Sequence, residues 1–285
     1  MAGPLALAPA VIVLGLLVAV AAGYALAQSL GALPLVGERS VGVQAYRDLL
    51  GGTSGTSDLW TSFAFTLWVS AASTVLAILL ALAVIAWIEG VHGRRQQWAT
   101  SVFHLNLAIP HIVWALALLL VFSQSGILAR SAALVGLIDS PADVPALTGD
   151  RFGIGLILHF VSKETPFLVL VGLAVLRAQP RQLSLLADTM GARGLGRVRL
   201  VVIPTVAPGL IVAGALVFAF VFGSYEAPIV LGGSSPRMLS IVGLDLFNSP
   251  DLAQRPAAMA LGVLMTIVIG LGVWLLTVTA ARRRA

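Results

Sequence analysis

The chain has no cysteine in its 285 residues. Disulfide frameworks, thiol nucleophiles and Cys-based metal sites are thereby excluded, and the redox compartment stays undetermined. Charge is almost as scarce. Only 10% of residues are Asp, Glu, Lys or Arg, against about a quarter in soluble globular domains. Together with 59% hydrophobic residues and a mean hydropathy of +1.00, that rules out an ordinary soluble fold. The short alternating segments of a transmembrane barrel are also missing. So are a Gly-x-x-x-x-Gly-Lys phosphate loop and a dinucleotide fingerprint, which leaves no recognisable means of binding ATP in this chain. No two of the four histidines, His92, His104, His111 and His159, are four residues apart. The His-x-x-x-His spacing of a helical metal site is therefore absent, and no metal site is expected.

What the chain does have is long apolar runs. Stretches of about 20 apolar residues read as membrane-crossing helices, because hydrocarbon offers backbone groups no partner outside the helix. Six can be drawn, at Leu5–Ala27, Phe63–Trp87, Val102–Phe122, Gly153–Leu176, Pro208–Leu231 and Ala257–Thr279. The expected fold class is all-α, a polytopic membrane protein whose single transmembrane domain occupies residues 1–285. The first run has a rival reading as a signal peptide, since Ala25-Leu26-Ala27 resembles a cleavage site. It is longer than a typical h-region, and no basic residue precedes Ala10, so it is read as an uncleaved span.

The net charge of +5 bears on orientation and does not indicate nucleic acid binding. Taking alternate loops, one set carries ten arginines against Glu89 and Asp188, and the other six arginines against nine carboxylates. Lys163 and Glu164 lie within a span and cancel. Positive charge accumulates in cytoplasmic loops, so both termini and the loop over 177–207 are expected in the cytoplasm. The opposite loops are longer and rich in Gly, Ser and Pro, with a short interfacial helix expected at Val43–Leu50.

The loop over 177–207 is basic and helix-forming yet outside the bilayer. Pro180 ends the arriving helix, Gln182–Met190 favours helix and Gly191 bends it. Leu195–Val202 can form a second short helix among Arg193, Arg197 and Arg199, stopped by Pro204 and Pro208. A partly apolar elbow of this kind calls for a partner surface. Its spacing resembles the cytoplasmic loop of permease subunits of binding-protein-dependent ABC importers, Glu-Ala-Ala, three residues, Gly, nine residues, Ile-x-Leu-Pro. Gly191 stands thirteen residues before Pro204, Val201 and Ile203 fill the aliphatic positions, and Ala187 matches the second alanine. Leu185 and Leu186 replace the first Glu and Ala. Lys163-Glu164-Thr165-Pro166-Phe167, Phe222–Pro228 and Asp251–Ala260 resemble the spermidine/putrescine-type branch.

The resemblance implies a type I importer permease with a cytoplasmic coupling helix. Leu185, Leu186, Ala187, Asp188, Gly191, Ala192, Arg193, Leu195 and Pro204 would then contact the partner ATPase. It further implies cytoplasmic ABC ATPase subunits, which would bind the ATP and magnesium. A second permease chain, in this branch expected to be a different one, and an extracytoplasmic solute-binding protein complete the set. This chain would hold no cofactor and would not be an enzyme. It would meet membrane lipid but no nucleic acid, in the bacterial inner membrane. The branch implies a small polar or charged solute such as a polyamine, although similar permeases are associated with ferric iron, thiamine and phosphonates.

Ionisable residues at membrane depth are costly, and they face a bundle interior or a watery cavity. Lys163 and Glu164 are neighbours on a helix and point about 100° apart, so they need not pair with each other. Either can line a pathway or lock helices together. His111 follows Pro110, which frees a carbonyl and can kink the third span. With His111, the candidate pathway residues are Trp114, His159, Lys163, Glu164, Tyr225 and Glu226. Glu226 reads equally as half of an interface ion pair with Arg237 or Arg255. Gly155, Gly172, Gly214, Gly262 and Gly270 are expected to permit close helix packing. The alternative function is an ion-coupled secondary carrier using Lys163, Glu164 and Glu226. A membrane-embedded enzyme would need facing carboxylates or a histidine cluster, and the sequence presents no convincing set.

Overall fold

The computed structural model describes residues 8–32, 41–52, 58–90, 94–178 and 194–282. Among these the secondary structure is entirely helical. Six helices are long and apolar enough to cross a membrane: Ala8–Ser29, Leu59–Glu89, His111–Leu134, Ile154–Arg177, Val198–Gly223 and Leu252–Val278. That agrees with the expected class and number. In chain order the elements are α1 (Ala8–Ser29), α2 (Gln44–Leu50), α3 (Leu59–Glu89), α4 (Arg94–Ala108), α5 (His111–Phe122), α6 (Ile127–Leu134) and α7 (Ile154–Arg177). There follow α8 (Gly194–Arg197), α9 (Ile203–Gly223), α10 (Glu226–Leu231), α11 (Leu239–Phe247) and α12 (Arg255–Arg282).

The chain divides into two compact units, Met1–Ser62 with Leu239–Val268, and Phe63–Met238 with Ile269–Ala285. In the first, α1 exposes apolar side chains around its whole circumference, as a lipid-facing helix does. The Tyr46 hydroxyl on α2 donates to Ser29 Oγ at 2.8 Å and ties α2 to the end of α1. The Arg255 guanidinium lies 4.9 Å from the centroid of the Phe247 ring.

The core of the second unit is built by α3, α7 and α9. Phe65, Val69, Ala77, Ala81 and Ile85 of α3 are buried with Leu156, Phe160, Leu168 and Leu173 of α7 and with Val206, Leu210, Ala213 and Val217 of α9. Lipid tails are as apolar as these side chains, so close approach and dispersion hold the helices together more than exclusion of water does. Glycines allow that approach. A Cβ on Gly214 would stand 2.6 Å from Ile78 Cδ1, and one on Gly172 would collide with Ile85 Cδ1. Among the described residues nothing lies within 4 Å of a Cβ on Gly262 or Gly270, so neither permits a close helix contact there.

Three boundaries differ from the sequence reading. The third span, expected at Val102–Phe122, is broken between Ala108 and His111, because Pro110 cannot donate its share of the helical ladder. Pro204 and Pro208 do not stop a helix. α8 runs through a π-helical turn, Val198–Val202, into α9. Pro204 falls at the first turn of α9, where its missing N–H is tolerated, and Pro208 lies within α9. The fifth span then ends at Gly223, because Ser224 turns to extended backbone before α10 begins. A helix is present where one was expected at Val43–Leu50, as α2, with Val43 preceding its first residue.

Candidate functional site

The polar residues of the membrane interior converge where α7 passes the break between α4 and α5. Asp150 sets the start of α7. Its Oδ2 accepts the amides of Phe152 and Ile154 at 3.0 and 2.9 Å, and Oδ1 accepts that of Gly155 at 3.3 Å. A carboxylate there satisfies orphan donors and suits the positive end of the helix dipole. Gly153, the residue before α7, has φ +70°, a left-handed conformation natural to glycine. From that start, His159, Lys163 and Glu164 fall on buried faces of α7, with exposures of 0%, 2% and 8%.

Pro110 has no N–H, so the Asn106 carbonyl loses the donor that would continue the helix. The Ile109 amide turns back to that carbonyl at 3.2 Å. The Lys163 ammonium fills the gap, with Nζ donating to Asn106 O and to Ile109 O, each at 2.7 Å. These are charge-assisted bonds at the negative end of the α4 dipole.

Glu164 points elsewhere, as adjacent helical residues must. Its Oε1 stands 3.8 Å from His111 Nε2 at the start of α5, too far for a hydrogen bond. The His111 ring centroid lies 5.8 Å from that of His159 and 4.9 Å from that of Phe220. Neither ring nitrogen of His159 has a hydrogen-bond partner among the described residues. Trp114 Nε1 donates to Ser162 Oγ at 2.8 Å, and Ser162 Oγ donates to the His159 carbonyl at 2.9 Å. Glu226 opens α10, which packs on α5.

Five of the expected pathway residues, His111, Trp114, His159, Lys163 and Glu164, thus form one cluster, with Glu226 near it. Tyr225 is 51% exposed. His104, expected in the third span, is exposed on α4 with Nδ1 2.9 Å from Thr100 O. The cluster holds one ammonium and one carboxylate, and no metal-binding group of three occurs among the described residues. Of the coupling residues, Leu185, Leu186, Ala187, Asp188, Gly191, Ala192 and Arg193 lie outside the described residues, as does His92. Leu195 is part of α8, and Pro204 is exposed on α9. Sequence reasoning missed Asn106, Ile109, Ser162 and Phe220. Asn106 alone carried a signal, standing four residues before a proline, where a carbonyl is freed.

Compared with known proteins, residues 82–284 match the family model described as the binding-protein-dependent transport system inner membrane component. The chain belongs to that family. It is therefore a membrane permease of the binding-protein-dependent ABC importers, a family of transport proteins and not of enzymes. It is 28% identical over 198 residues to the inner membrane ABC transporter permease protein YnjC of Escherichia coli K12, covering 69% of this chain and 36% of YnjC. It is 26% identical over 216 residues to the molybdenum transport system permease protein ModB of Mycobacterium tuberculosis, covering 74% and 78% of the two chains. Identity to the thiamine transport system permease protein ThiP of Brucella abortus is 27% over 188 residues, covering 64% of this permease and 32% of ThiP. The match thus spans about a third of YnjC and ThiP but most of ModB.

Among solved structures, the fold is similar to that of a bacterial ABC transporter involved in the import of the acidic polysaccharide alginate. The TM-score is 0.71 at 18% identity, over 90% of this chain and 87% of that one. A second alginate transporter structure, in complex with an alginate pentasaccharide-bound periplasmic protein, gives 0.70 at 17% identity over 99% and 98%. The specifically spermidine/putrescine-type branch read from the sequence finds no support in these relatives: ModB, ThiP and the alginate transporters are named for other cargoes, and YnjC for none.

Proposed function

We propose that this permease forms half of a solute pathway and pairs with a second permease chain. Two cytoplasmic ATPases dock on the loops over 177–207, and an external binding protein delivers the solute. Both termini and that loop face the cytoplasm, as the distribution of arginine suggests. Closure of the ATPases displaces residues 185–202 as a lever and shifts the spans between inward and outward openings. The observation that carries this reading is the Gly191-to-Pro204 spacing, which runs from the loop after the fourth of six spans into the start of the fifth, in a chain of this family.

The solute is read as small and polar or charged. The expectation of a polyamine rested on local sequence likeness alone. ModB and ThiP, named for molybdenum and thiamine, support a wider choice. The ion-coupled carrier has no observation in its favour. Co-purification of an ATP-binding subunit with the wild-type chain, and its loss in Gly191→Pro, is the expected result. Transport that continues without any ATP-binding subunit would overturn the proposal.

A further inference from the structure

A buried ammonium with two backbone acceptors raises a question separate from transport: what Lys163 is there to do. It is 2% exposed, and both its bonds go to carbonyls at the end of α4, Asn106 O and Ile109 O. The first of those carbonyls is without its usual donor because residue 110 is proline. The next residue on α7, Glu164, faces across the break to the first residue of α5, with 3.8 Å between its Oε1 and His111 Nε2. Two adjacent residues of one helix therefore address the two sides of one interruption.

We propose that Ile109–Pro110 is a joint between α4 and α5, at the start of the third span, and that Lys163 is its positioning residue. Lys163 fixes the α4 side of the joint to α7. The α5 side meets α7 through the longer approach of His111 to Glu164 and the Trp114–Ser162 hydrogen bond, and it is packed besides against α10 and the Phe220 ring. α4 then stays with α7 while α5 changes its angle together with α10, which packs on it, and Glu164 meets His111 as a hydrogen-bonded pair when the joint closes. Breaks of this kind have a local cause, and here the cause is a proline whose freed carbonyl is satisfied from a neighbouring helix. On this assignment Lys163 serves the backbone and does not contact solute. The inference concerns the packing of this chain and does not depend on which solute it carries.

The assignment makes Lys163 and Pro110 a linked pair, and a double-mutant cycle in the full chain in detergent tests it. Lys163→Met should lower the melting temperature. Pro110→Ala restores an N–H for the Asn106 carbonyl, so Pro110→Ala/Lys163→Met should melt higher than Lys163→Met alone. Lys163→Arg, which keeps charge and donors, should recover most of the loss. The absence of native cysteine allows a second readout, spin labels at Trp98→Cys on α4 and Leu120→Cys on α5, both exposed positions. The inter-label distance distribution should broaden in Lys163→Met and narrow again in Lys163→Arg. If Lys163→Met does not fold, recovery of a folded chain in the double variant supports the joint. Strictly additive melting shifts, a double variant that also fails to fold, or a distribution unchanged by Lys163→Met would overturn it.

Discussion

Trp114 Nε1 donates to Ser162 Oγ at 2.8 Å and so joins the first turn of α5 to the middle of α7. Trp114 stands three residues beyond His111, on the same face of α5, so both side chains meet α7 together. Trp114→Phe keeps most of the ring and removes the donor. It should cost roughly 0.5–2 kcal/mol, the range for a hydrogen bond between membrane helices. Melting of Trp114→Phe, Ser162→Ala and the double variant gives the coupling energy, and a value near zero would mean that the bond does not hold α5.

The packing glycines should not respond alike. At Gly155 an added Cβ collides with the Leu147 carbonyl, a backbone atom with little freedom to move, whereas at Gly214 it meets the tip of the Ile78 side chain at 2.6 Å. Gly155→Ala is expected at the upper end of the usual overpacking cost of about 1–3 kcal/mol, and Gly214→Ala at or below the lower end. Ile78→Val removes the methyl that Gly214→Ala would strike and should restore stability in that background. It should do nothing for Gly155→Ala. Thermal unfolding of the four variants checks the order.

Outside the membrane, the amides of Ser140 and Asp139 donate to Asp143 Oδ2 at 2.8 and 3.1 Å. These hydrogen bonds, Ser140's first, hold the Asp143 carboxyl below its ordinary pKa. A carboxyl lowered in the folded state adds stability above its unfolded pKa of about 4, and that contribution is lost as pH falls through the folded value. The turn at Pro141–Asp143 should therefore stay protected at neutral pH and open on acidification below about pH 4. Amide exchange at Ser140, corrected for intrinsic rates, measures this. Asp143→Asn should remove the pH dependence, and an unchanged profile in that variant would assign it to another group.

In the proposed coupling loop, Leu185 stands where similar permeases carry glutamate, which implies a more apolar contact with the ATPase. Leu185→Glu should change the amount of ATPase that co-purifies with the permease and make it more sensitive to salt, since an exposed ion pair is screened. Assembly indistinguishable from wild type at low and high salt would mean that the position carries little of the docking energy.

Much of the architecture could be read before any coordinates. Apolar runs long enough to span hydrocarbon leave the backbone no choice but helix, so the number of spans and the limits of α7 were within reach. The Pro110 interruption was legible as a kink, because proline acts on the turn before it. Its consequence for span boundaries was not, since α4 continues from Arg94 with low apolarity and α5 runs on toward α6. Pro204 and Pro208 misled for the opposite reason. A π-helical turn lets a helix pass a missing donor, and nothing in composition marks such a turn.

The site divides along the same line. Which residues were costly in a membrane, Lys163 and Glu164 above all, followed from their chemistry, and helical geometry already pointed them about 100° apart. The partner each would find did not follow. Lys163 bonds to two main-chain carbonyls, and every residue has a carbonyl, so no side-chain pattern can announce that contact. Covalent order sets the direction in which a helical side chain leaves its own axis. Which atoms wait there depends on how neighbouring helices pack, and the packing of α4, α5 and α7 made Lys163 a support for a broken helix and turned Glu164 toward His111.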